Sequence, residues 1–120
     1  MIFKSIFSSI VVSALFAAAA SAKPVCGNAS FYGGHGDPYA WGTMANGQAM
    51  NPAAMITAHK TLPFGTKLRV VNVNNGRSVV VRVTDRGPFI PGRVLDLSYG
   101  AFKAIASPRQ GVVKVCFEQI

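Results

Sequence analysis

Residues 66–89 read TKLRVVNVNNGRSVVVRVTDRGPF. Two runs rich in β-branched residues, 66–73 and 77–84, flank Asn74, Asn75 and Gly76. An Asn-Gly step supplies the positive φ angles that tight hairpins need, so the stretch reads as a two-stranded antiparallel unit. Alternation puts Val79, Val81 and Val83 on one face of the second strand and Val80, Arg82 and Thr84 on the other. Both faces are mostly apolar, as expected of strands in a small closed barrel packed on its outside by loops. The run stops on Asp85, followed by Arg86, Gly87 and Pro88. Gly87 allows unusual backbone angles and Pro88 removes a backbone donor, so the turn is sharp. The chain has only four carboxylate side chains, Asp37, Asp85, Asp96 and Glu118. One of so few at the mouth of a buried strand needs a reason.

Outward from the hairpin, residues 29–32 read as a first strand halted by Gly33 and Gly34. Residues 55–58 form a short strand ending at His59, and residues 111–118 a closing strand. Ser98 can cap one helix, whose apolar stripe is Ala101, Phe102 and Ile105 and whose stop is Pro108. Residues 35–50 form a long loop rich in aromatic residues and glycine, and such a loop in a compact domain is usually functional. The fold class is all-β, with short strands and one or two short helices.

The N-terminal residues stand apart. Lys4 precedes an apolar stretch, and Ala20-Ser21-Ala22 gives an A-x-A pattern, so residues 1–22 read as a secretory signal peptide. Its apolar core is short for a membrane span of about 20 residues. Lys23-Pro24-Val25 before Cys26 lacks the small residues of a lipidation site. The expected product is one exported domain, residues 23–120, periplasmic or secreted, monomeric and without a lipid or transmembrane anchor. The formal net charge is +8, with the basic residues scattered along the chain. Export turns that charge toward anionic cell-envelope polymers and away from nucleic acid. Cys26 and Cys116 sit near the two ends of the domain and can pair in an oxidising compartment. The two histidines show no metal-ligand spacing with them, so metal binding by this cysteine pair is not expected.

Chemistry concentrates at a few positions. A carboxylate at a strand end such as Asp85 can protonate a glycosidic oxygen; the plainer alternative is an Asp that caps its turn by accepting backbone N–H groups. Asp96, between Leu95 and Leu97, points opposite both leucines, toward the cleft of Asp85 or only into the start of the helix. His59 can orient a carboxylate or a sugar hydroxyl, or be a satisfied structural residue. Tyr32, Tyr39 and Trp41 can stack on sugar faces, or merely pack.

Taken together, the stretches ASFYG (29–33), residues 43–89 with HKTLPFGT, NGRSVVVRV and DRGPF, and GRVLDLSYGAFKAI (92–105) resemble the rare lipoprotein A family of double-psi β-barrel proteins. The resemblance implies a six-stranded double-psi β-barrel that acts on peptidoglycan glycan strands as a lytic transglycosylase, leaving 1,6-anhydro-muramoyl ends. The reaction so implied needs no metal or cofactor. The resemblance assigns Asp85 as the essential acid and His59 as the family's histidine, while Asp96 matches the position at which related barrels, including expansins and another lytic transglycosylase family, place their key acid. Arg86, Tyr32, Trp41, Gln48 and Asn51 would meet the glycan. Gln48 and Asn51 stand where the family usually has acids; an amide hydrogen-bonds a sugar but exchanges no proton. That departure motivates an alternative, a non-catalytic, expansin-like wall-binding module. A small secreted effector or inhibitor acting on another protein is a third possibility.

Overall fold

A computed structural model describes residues 23–33 and 42–120. The expected leader, residues 1–22, lies outside the described residues, as do Tyr39 and Trp41. The elements are β1 Val25–Tyr32, β2 Ile56–Ala58, β3 Lys67–Asn72, β4 Ser78–Asp85, β5 Arg93–Ser98, α1 Tyr99–Ile105, a 3-10 turn Pro108–Gln110 and β6 Val113–Gln119. The six strands close into a barrel in the order β1-β5-β2-β4-β3-β6. Among the described residues no helix is long and apolar enough to cross a membrane.

The hairpin forms as its sequence dictates. β3 and β4 pair antiparallel, with Val70 opposite Val79 and Lys67 opposite Arg82. Asn72 and Arg77 close the turn, and Gly76 adopts φ +74°. Val81 and Val83 join Leu68, Val70, Leu95 and Leu97 in a core from which solvent is almost wholly excluded. The outer face differs from the expectation of loop packing, since Val80 and Arg82 are exposed. Burying one face of each strand is enough, because the barrel closes on itself and has no second layer to fill.

β1 begins four residues earlier than its apolar signal, at Val25. Its added residues pair antiparallel with β6, and Cys26 lies directly opposite Cys116, joined to it by a disulfide. The bridge ties the first strand to the last. α1 begins on Ser98, whose hydroxyl accepts from the Ala101 N–H, and buries Ala101, Phe102 and Ile105 against the barrel. Its last carbonyl, on Ile105, accepts from the side-chain amides of Asn72 and Asn75 at 2.8 and 2.9 Å. The hairpin tip thus caps the helix end.

β2 is the short strand that places the site. It runs parallel to β4 and antiparallel to β5, so both flank it. A β-bulge breaks the β2–β4 register: Thr57 faces Val83, but Ala58 faces Asp85, and Thr84 is skipped. Strict alternation would send Asp85 to the side of Val81 and Val83, into the core. The extra residue re-aims the strand end, and Asp85 reaches the rim half-buried.

Candidate functional site

Ala58 is opposite Asp85 on one side and Asp96 on the other. Three adjacent strand ends therefore carry acid, methyl, acid across the barrel rim. Above them opens a cleft of about 220 Å³ lined by Tyr32, Thr43, Met50, Ala58, Asp85, Arg86 and Asp96, with Gly42 at its edge. Two of the chain's four acids share it. Asp96 lies between the buried Leu95 and Leu97 and points away from the core, as strand alternation requires.

The carboxylates are held differently. Asp85 Oδ1 accepts the backbone N–H groups of Ala45 and Arg86, each at 2.9 Å. Asp85 Oδ2 has no hydrogen-bond partner among the described residues. Asp85 thus caps its turn through Oδ1 and is also one of the residues that line the cleft. Asp96 Oδ1 accepts from the buried Ser30 hydroxyl at 3.1 Å, across the parallel β1–β5 pair.

The loop over the cleft is a miniature hairpin. Thr43 bridges Ala49, the Met44 N–H donates to the Gln48 carbonyl, and Gly47 turns at φ +88°. Met44 and Met50 pack with Ile56 beneath it. The Asn46 N–H donates to the Thr84 carbonyl, so the loop is pinned to the bulge and its Ala45 N–H reaches Asp85.

Gln48 and Asn51 are on this loop, exposed, with their side-chain oxygens engaged locally. Gln48 Oε1 accepts from the Asn46 amide and Asn51 Oδ1 from the Ala53 N–H. Neither lines the cleft.

His59 follows Ala58, and its backbone N–H donates to the Asp85 carbonyl at 3.2 Å. Its imidazole turns the other way. Nδ1 accepts the N–H groups of Thr61 and Leu62, and the ring packs edge-on to Phe117 at 5.6 Å. It borders a separate groove of about 310 Å³ with Leu62 and Phe117. Burial first, then the Arg86 and Lys60 cations, hold its pKa below the usual histidine value. Arg86 reaches back from the cleft: Nη1 donates to the carbonyls of His59 and Leu62, and the guanidinium lies 4.1 Å over the Phe64 ring.

Tyr32 ends β1 and lines the cleft. Its hydroxyl is buried without a hydrogen-bond partner among the described residues. Burial pushes its pKa far above that of a free phenol, the Asp85 and Asp96 carboxylates add to the shift, and the Thr84 hydroxyl, close enough to act on the phenol oxygen but outside hydrogen-bond geometry, offsets part of it. The Thr84 hydroxyl itself is directed at Met44 Sδ, 3.3 Å away.

Sequence reasoning did not single out Ser30, Ala45 or Ala58 as parts of this site. Each acts through a backbone group, a methyl or a cross-strand pairing far along the chain, none of which leaves a local signal.

Residues 24–117 match the family model described as lytic transglycolase. The chain belongs to the lytic transglycolase family. Family relatives include a Nostoc sp. protein named probable endolytic peptidoglycan transglycosylase RlpA, 54% identical over 77% of this chain and 24% of its own length. The endolytic peptidoglycan transglycosylase RlpA of Rickettsia bellii is 43% identical, over 78% of this chain and 41% of its own. That of Pseudomonas aeruginosa is 44% identical, over 84% and 29%. The chain thus spans about a quarter to two-fifths of the length of these curated relatives. Among solved structures, the Streptomyces papain inhibitor superposes with a TM-score of 0.64 at 23% identity, covering 82% of this chain and 94% of that one. A Clavibacter michiganensis expansin solved with cellohexaose gives 0.57 at 21%, over 82% and 50%. At such identities these two share the fold of this family member, the double-psi β-barrel, and no more.

Proposed function

We propose that the protein is an exported peptidoglycan lytic transglycosylase in which Asp85 is the acid and base. The observation that carries this reading is the pairing of Asp85 and Asp96 on one open cleft, in a chain whose relatives bear the name endolytic peptidoglycan transglycosylase. The leader-like residues 1–22 and the net charge of +8, to which the leader contributes only Lys4, support delivery to an anionic wall.

In the reaction, protonated Asp85 Oδ2 gives its proton to the glycosidic oxygen as the bond to C1 of the muramoyl unit breaks. The 6-hydroxyl of that unit then closes on C1, and its proton passes to the Asp85 carboxylate. Proton and charge balance, no water is consumed, and one carboxyl serves twice, unlike the two-carboxylate glycosidases. The bonds from Ala45 and Arg86 hold Oδ1 and leave Oδ2 for transfer. Asp96, set by Ser30, supplies negative charge for the oxocarbenium-like centre. His59 and Arg86 brace the turn behind Asp85, while the Tyr32 ring and the loop bearing Gln48 and Asn51 form the walls that receive the glycan.

The test is digestion of isolated sacculi, read by mass spectrometry. The wild-type protein should release 1,6-anhydro-muramoyl products. Asp85→Asn keeps an oxygen for the Ala45 and Arg86 N–H groups, so it folds, and product formation should fall at least about a hundredfold. Salt-sensitive sacculus binding with intact glycan, unchanged by Asp85→Asn, would overturn the enzymatic reading in favour of a wall-binding module.

A further inference from the structure

A buried hydroxyl without a partner is costly, and among the described residues the Tyr32 hydroxyl is one. The same cleft holds a complementary vacancy: Asp85 Oδ2 accepts no hydrogen bond among the described residues. Among the described residues one atom lacks an acceptor and the other lacks a donor. We propose that the Tyr32 hydroxyl is the donor to Asp85 Oδ2 through one bridging water, and so a positioning residue for the acid.

Asp96 is the weaker candidate for this donor. Its Oδ1 already takes the Ser30 hydroxyl, and Asp85 acts on the Tyr32 phenol more strongly than Asp96 does. The remaining charged group on the cleft, Arg86, is engaged with the His59 and Leu62 carbonyls. Tyr32 also stays protonated wherever the protein works, since burial and both carboxylates oppose its ionisation. It is therefore a fixed donor. It orients Oδ2 within the cleft and meets the carboxylate when the proton leaves. The catalytic consequence rests on the lytic reading above, but the pairing does not.

A double-variant cycle in urea denaturation tests the pairing on the full chain without any assay of activity. Tyr32→Phe keeps the ring and deletes the hydroxyl; Asp85→Asn keeps the shape and deletes the charge. If the two groups pair, the unfolding constant of the double variant differs by about tenfold from the value the single variants predict together. Independent effects, within twofold, overturn the proposal. In sacculus digestion, the pH–rate profile of Tyr32→Phe should be displaced along the pH axis; a profile that keeps its position and only loses height also overturns it. Should the wild type yield no anhydro product, the lytic reading falls while the cycle still decides the pairing.

Discussion

At His59 the ring nitrogen Nδ1 receives the N–H groups of Thr61 and Leu62, a bond only the neutral imidazole can accept. Burial and the Arg86 and Lys60 cations oppose its protonation in the folded chain. The unfolded chain, with an ordinary histidine value of about 6.5, takes up the proton first as the medium acidifies. The stability the neutral ring contributes is therefore complete above about pH 6.5 and is lost as pH falls through that value toward the lower folded one. The melting temperature should drop on going from about pH 7 to about pH 5. His59→Asn, which can accept the same two N–H groups, should flatten that drop. The Asp85 and Asp96 positions were legible in the sequence because an acid among apolar residues is conspicuous. The direction of the His59 ring was not, since it is decided by two N–H groups and an aromatic ring 58 residues further on.

Between β1 and β5 the fit is close. A Cβ built on Gly27 would lie 2.6 Å from Val94 Cγ1, and valine cannot swing aside because its χ1 is restricted. Gly27→Ala should destabilise the fold by about 1–3 kcal/mol in urea denaturation, chiefly through displacement of β5. Asp96 is two residues beyond Val94, so the lytic activity proposed above should fall with stability. The β3–β4 hairpin and the capped helix were readable from local signals: Asn75-Gly76, valine alternation, Ser98 and Pro108. The parallel insertion of β2 between β4 and β5 was not. A three-residue strand carries little pattern, and its partners lie across long stretches of chain. The bulge at Thr84 was equally hidden, because Val83-Thr84-Asp85 reads as uninterrupted strand.

Over the whole molecule, one covalent bond joins residues 90 positions apart. In the chain-entropy picture such a loop contributes about 4–5 kcal/mol, comparable with the entire net stability of many small domains. Cys26 is exposed, so a reductant can reach the bridge. Reduction, or replacement of both cysteines by alanine, should lower the unfolding free energy by several kcal/mol, up to about that limit, as measured by urea titration of the oxidised and reduced forms. The pairing of these cysteines could be anticipated from their number and positions; their meeting as directly opposed residues of β1 and β6 follows only from barrel closure.

That seam between β1 and β6 fixes how the barrel can be mounted. Val25, where β1 starts, is paired with Phe117 near the end of β6, so the polypeptide enters and leaves at neighbouring points on one edge. A host chain can therefore carry the barrel ahead of, behind or between other modules as a plug on a single stalk. Its acid-lined cleft keeps its shape, because no strand need re-pair to accommodate the graft.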